Sequence, residues 1–103
     1  MTGAAGGFGL TVARAFAAGG AEVHVCDIDG EAVRAAAAEG LHASEVDVAD
    51  LAALDWWIDR VVDASGGVDV LINNAGIAGP TALVEDIEPA EWQRCLAIDL
   101  TSH

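Results

Sequence analysis

Residues 2–9 read Thr-Gly-Ala-Ala-Gly-Gly-Phe-Gly and run without a break into an alanine-rich segment of helical length. Glycines let a backbone turn tightly and approach a pyrophosphate closely. The helix that follows such a turn offers unpaired N–H groups and the positive end of its dipole to an anion. The competing reading is a flexible Gly/Ala terminus. A turn of this kind ordinarily follows a strand, and only Met1 and Thr2 precede it. The expectation is therefore a sheet whose first strand is nearly absent.

Three apolar, β-branched runs of strand length follow: Glu22–Asp27, Leu41–Val48 and Val68–Asn73. Helical segments separate them. Gly9–Ala18 places Val12, Ala13 and Phe16 on one face and stops at Gly19-Gly20. Glu31–Glu39 is a second helix with Asp29 as its cap. Asp50–Ala64 is a third, with Asp50 as cap, an apolar stripe of Leu54, Ile58, Val61 and Val62, and Gly66-Gly67 as its end. Pro89 fits the first turn of a fourth, which carries Trp92, Leu96 and Leu100. Helices alternating with short buried strands predict an α/β fold. It is a Rossmann-like parallel sheet with helices on both faces, incomplete at both ends, forming one partial domain over residues 1–103.

Composition closes off several functions. The 103 residues carry 17 acidic and 4 basic side chains, a net charge of −13, and all four cations are Arg. Too few cations are present to displace counterions from nucleic acid or to hold an anionic membrane, so neither partner is expected. Without Lys or Tyr, the chain holds no Schiff-base lysine, no P-loop lysine and no tyrosine acid/base. Cys26 and Cys95 fit no metal or redox spacing and read as small buried residues. The start lacks a signal-peptide pattern and no apolar run reaches membrane-spanning length, so a cytoplasmic protein is expected.

Asp27 ends the second strand, 18 residues after Gly9. That is near the offset, roughly 20 residues, of the acid that accepts hydrogen bonds from an adenosine ribose. A carboxylate there repels a 2′-phosphate, which favours NAD over NADP. Asp29 competes for the role but is better placed as a helix cap, and Asp27 also reads as a simple strand-end turn residue. Asn73-Asn74-Ala75-Gly76 closes the third apolar run, at the end of a parallel strand that faces a ligand crevice. Its Asn side chains can tie strands together or bond a ribose, and its small residues admit a flat ring. An ordinary turn has the same composition.

Together these residues resemble the short-chain dehydrogenase/reductase family of the classical type. Thr2, Gly3, Gly7 and Gly9 match its TGxxxGxG pattern, Asp27 its strand-end acid, Asp47-Val48 its Asp-Val pair, and Asn73–Gly76 its NNAG motif. The resemblance spans essentially the whole chain. It implies that Asp47 contacts the adenine amino group and that the Val48 backbone bonds the ring. Asn74, Ala75 and Gly76 would line the nicotinamide-side ribose, Ile77 would floor the nicotinamide pocket, and Asn73 would brace the sheet. Phe8 stands where the family has a smaller aliphatic residue, which is expected to tighten the turn.

Asp99 stands where the family carries an Asn that orders a water chain to its catalytic lysine, and an ionised Asp cannot donate. The family's Ser and Tyr-x-x-x-Lys have no counterparts here, so the resemblance implies no catalytic residue in this chain. The expectation is an N-terminal, cofactor-binding fragment of an NAD(P)-dependent oxidoreductase, inert by itself. A small-molecule substrate would be met only in a full-length, homo-oligomeric parent acting on a secondary alcohol or ketone. The alternative is a non-catalytic NAD-binding or regulatory module.

Of the remaining residues, His24 in a strand and His42 beside one read as structural, and His103 as a mobile terminal residue. Adjacent Trp56 and Trp57 on one helix predict one inward ring and one outward ring.

Overall fold

The computed structural model describes residues 1–103. Its regular elements are α1 (Gly7–Ala18), β1 (His24–Asp27), α2 (Gly30–Ala38), β2 (His42–Glu45), α3 (Leu51–Ser65) and α4 (Pro89–Leu96). A π-helical turn, Ala97–Thr101, continues α4. β1 and β2 run parallel, with His24 opposite His42 and Cys26 opposite Ser44.

Adjacent strand residues point to opposite faces, and β1 uses this to build two cores. Val25 packs with Ala13 of α1 and with Val33 and Ala36 of α2. Cys26 packs on the other face with Val46, Val48, Leu54 and Trp57 of α3, and Ile98. The helices therefore cover both faces, as the alternating pattern requires. Trp57 is the inward ring, whereas Trp56 is exposed and stacks under the Arg60 guanidinium, 4.9 Å away.

The helix ends follow sequence chemistry. Asp29 Oδ1 accepts from the N–H groups of Glu31 and Ala32, and Asp50 Oδ1 from those of Ala52 and Ala53. Gly66 ends α3 in the left-handed conformation, at φ 76°. α4 differs from its expected apolar stripe. Trp92 and Leu100 lie exposed, and Ile98 is the buried residue, because the wider π turn rotates it inward.

Met1 and Thr2 lie between β1 and the third apolar run. Cys26 N–H donates to Met1 O at 3.0 Å, Ala4 N–H to Cys26 O at 3.1 Å, and Thr2 N–H to Ile72 O at 3.1 Å. The lateral order is thus β2, β1, the Met1-Thr2 stub, then the segment ending at Asn73. The expected strand Val68–Asn73 does not form. Only Thr2 reaches it, at Ile72, and no backbone hydrogen bond is made by Val68–Leu71. Beside them a groove of about 630 Å³ is lined by Val23, Ile58, Val62, Val68, Val70 and Leu71, among others. A segment without ladder partners keeps its apolar side chains in solvent: Val70 is 58% and Leu71 60% exposed. Cys26 is wholly buried and free, and Cys95, also free, is partly exposed. No helix is long and apolar enough to cross a membrane.

Candidate functional site

The glycine turn folds as the sequence requires, for reasons visible at two positions. Gly3 has φ +57°, and a Cβ there would meet the Ala75 Cα at 2.8 Å. A Cβ on Gly9 would meet Asn74 Nδ2 at 2.6 Å, Ala4 Cα at 2.8 Å and Gly3 O at 2.8 Å. Both contacts bring the turn against the Asn74–Ile77 loop, so the two motifs form one unit.

Thr2 and Asn74 stitch that unit. Thr2 Oγ1 accepts from Asn74 N–H at 3.1 Å and from Ala75 N–H at 3.2 Å. The Asn74 amide donates to Thr2 O at 3.1 Å and to Gly3 O at 2.7 Å. The bracing expected of Asn73 is therefore made by its neighbour. Asn73 makes no side-chain hydrogen bond, whereas the Asn74 side chain points back at the turn.

α1 begins differently from α2 and α3. Its N-cap is Gly6, no side chain caps it, and no acidic residue occupies its first turn. No side chain of the chain partners its first N–H groups or neutralises its dipole. That end opens on a cavity of about 330 Å³ at the carboxyl ends of the strands. The cavity brings together the turn residues Gly3, Gly6, Gly7, Phe8 and Gly9 with Asp47 and Val48. Asn74, Ala75, Gly76 and Ile77 complete its other wall. Phe8 lines the cavity and is 78% exposed, so it packs little against the turn that it was expected to tighten.

Asp27 sits just behind this lining. Its Oδ2 accepts from Ala5 N–H and its Oδ1 from Asp29 N–H, both at 3.2 Å. The carboxylate thus closes the strand end and touches the glycine turn at once. Asp47 Oδ1 accepts from Ala49 N–H at 2.9 Å. Asp99 Oδ1 accepts from Ile77 N–H at 2.8 Å and so holds the loop to the π turn. His103 Nε2 lies 3.2 Å from Ala75 O.

Four cavity residues escaped the sequence reading: Ile28, Val46, Arg94 and Ile98. Ile28 was findable, since it follows Asp27 and is exposed. Arg94 was not, because nothing local brings α4 beside Asp47, whose carboxylate lies 3.7 Å from its guanidinium.

The cavity suits a dinucleotide chemically. It joins an uncapped helix N-terminus, a turn in which Gly3 and Gly9 leave no room for a Cβ, the Asp47 carboxylate and a small-residue loop opposite, with Asp27 just behind the lining.

Comparison with known proteins gives the same picture. The family model described as short chain dehydrogenase matches residues 1–103. Galactitol 2-dehydrogenase of Agrobacterium fabrum is 44% identical over 103 residues, covering 97% of this chain and 40% of its own. Among solved structures, a 3-ketoacyl-(acyl-carrier-protein) reductase from Brucella melitensis, complexed with NADH, superposes with a TM-score of 0.90 at 34% identity. That match covers 98% of this chain and 43% of the reductase. A metagenomic short-chain oxidoreductase in complex with NADP gives a TM-score of 0.87 at 33% identity, covering 98% of this chain and 48% of its own. The chain spans 40% to 61% of the length of the curated relatives it matches.

Proposed function

Because this chain belongs to the short-chain dehydrogenase family, we propose that residues 1–103 form the NAD-binding portion of a hydride-transferring oxidoreductase. The observation that carries the reading is the single cavity that joins the glycine turn, Asp47-Val48 and Asn74–Ile77. The first turn of α1 would take the pyrophosphate on its free N–H groups. Asp47 and the Val48 backbone would hold the adenine, and Ala75, Gly76 and Ile77 would admit the nicotinamide side. A nicotinamide dinucleotide bound there would supply the hydride donor or acceptor for a secondary alcohol and its ketone.

The preference for NAD rests on Asp27. Its carboxylate is already placed against Ala5 of the turn, where a 2′-phosphate would meet a like charge. Arg94, the one cation on the cavity wall, lies 3.7 Å from Asp47 rather than beside Asp27. One similar structure holds NADH and another NADP, so the proposed preference rests on side chains and not on the fold.

No Tyr or Lys is among the 103 residues to protonate a developing alkoxide, so this polypeptide binds without turning over. The test is calorimetric titration with NAD and with NADP. NAD is expected to bind tighter by tenfold or more, on the order of 1.4 kcal/mol, and Asp27→Ala to narrow the gap. Equal or tighter NADP binding refutes the preference, and failure to bind either refutes the site.

A further inference from the structure

At the opposite, amino-terminal end of β1 and β2 lies a second cluster that the dinucleotide site does not use. Glu22 lies just before β1, two residues from His24, the first residue of that strand. His42 is the register partner of His24 on β2, and the two imidazoles stack with centroids 4.5 Å apart and planes 15° from parallel. Glu22 Oε1 lies 2.9 Å from His24 Nε2 and 3.9 Å from His42 Nε2. Ser65, the last residue of α3, places its Oγ 3.0 Å from Glu22 Oε1 and 2.9 Å from His24 Nε2.

We infer that Glu22, His24 and His42 form a binding site for a divalent transition-metal cation of the zinc class. One ligand atom from each of the three lies within 4.8 Å of the others. Tetrahedral zinc, with bonds of roughly 2.0–2.1 Å, holds its ligand atoms about 3.4 Å apart. The Glu22 separations of 2.9 and 3.9 Å bracket that value, and all three ligand atoms lie within 4.8 Å of one another; the two rings, now stacked 15° from parallel, must tilt apart for both Nε2 lone pairs to meet one ion.

Two imidazoles and a carboxylate select zinc, nickel or copper over magnesium and calcium, which prefer all-oxygen shells. The cation would take the Nε2 lone pair of each neutral ring, with the ring proton on Nδ1, and one carboxylate oxygen. The Ser65 hydroxyl or water completes the shell. Two of the ligands, Glu22 and His42, are more than half exposed, which leaves the cation a path of entry. Bound there, it ties β1 to β2 across the sheet from the dinucleotide cavity.

The test is zinc titration of the tag-free, 103-residue chain by calorimetry, with cobalt as a spectroscopic probe of the shell. One zinc per chain is expected, together with cobalt absorption bands that zinc abolishes. His42→Gln and Glu22→Gln are exposed changes that leave the core untouched. Each is expected to weaken zinc by about tenfold or more with an unchanged circular dichroism spectrum, while His103→Gln leaves affinity intact. Absence of saturable one-to-one binding overturns the inference, and so does zinc affinity that survives His42→Gln or is lost in His103→Gln. Because no dinucleotide is present, these outcomes stand apart from those of the cavity test.

Discussion

Gly9→Ala separates two opposed expectations. Gly9 lies within α1, where helix propensity alone credits Ala with a gain of about 0.5–1 kcal/mol over Gly. The tertiary contacts oppose this. The new methyl would sit 2.8 Å from both Ala4 Cα and Gly3 O, and 2.6 Å from Asn74 Nδ2. Ordinary carbon contacts begin near 3.5 Å. Two of the three atoms are backbone. The third cannot swing aside without breaking the Asn74 bonds to Thr2 O and Gly3 O.

Overpacking of this kind costs about 1–3 kcal/mol, so the net loss after the propensity gain lies between about 0 and 2.5 kcal/mol, centred near 1 kcal/mol. For a chain of this size, each kcal/mol corresponds to roughly 4–8 °C in midpoint. Gly6→Ala is the control, because its Cβ meets nothing within 4 Å and its backbone is extended, at φ −145°. Urea and thermal unfolding followed by circular dichroism and Trp fluorescence should show Gly9→Ala destabilised and Gly6→Ala within about 0.5 kcal/mol of the parent. A Gly9→Ala midpoint equal to or above the parent would mean that the close approach of turn and loop is wrong.

Thr2→Val keeps shape but strips the acceptor from Asn74 N–H and Ala75 N–H, and should cost about 1–3 kcal/mol. Hydrogen exchange at those two amides should accelerate, and Thr2→Ser should restore protection. Burial pushes the Cys26 thiol up to about 11, from an ordinary value of 9.0. The folded state thus favours the neutral thiol, so this contribution is complete below pH 9 and is lost as pH rises through 11. With no Lys or Tyr in the chain, that window is otherwise nearly free of side-chain titration. Urea midpoints should fall across it by up to about 2 kcal/mol, and Cys26→Ala should flatten the fall. At pH 8 a thiol reagent should label Cys95 in the folded chain and reach Cys26 only after unfolding, since Cys26 is wholly buried.

Local chemistry was enough to determine the helices and their ends. Asp29 and Asp50 cap their helices through their own side chains, Gly66 stops α3, and the glycine spacing makes the turn, because each effect acts within a few residues. The family resemblance proposed one ligand for Gly3, Gly7, Phe8, Gly9, Asp27, Asp47, Val48 and Asn74–Ile77, and one cavity is lined by all of them except Asp27. Only the tertiary structure decided contacts between distant segments. It chose Asn74 over Asn73 as the brace, because Thr2 and Gly3 lie across from that position alone. It denied Val68–Asn73 a strand despite its β-branched composition. A strand is defined by its neighbour's hydrogen bonds, and only Thr2 supplies one. It brought Arg94 to Asp47 and stacked His24 on His42. Sequence separation carries no trace of either pairing, which arises only when the sheet register and the α4 docking are set.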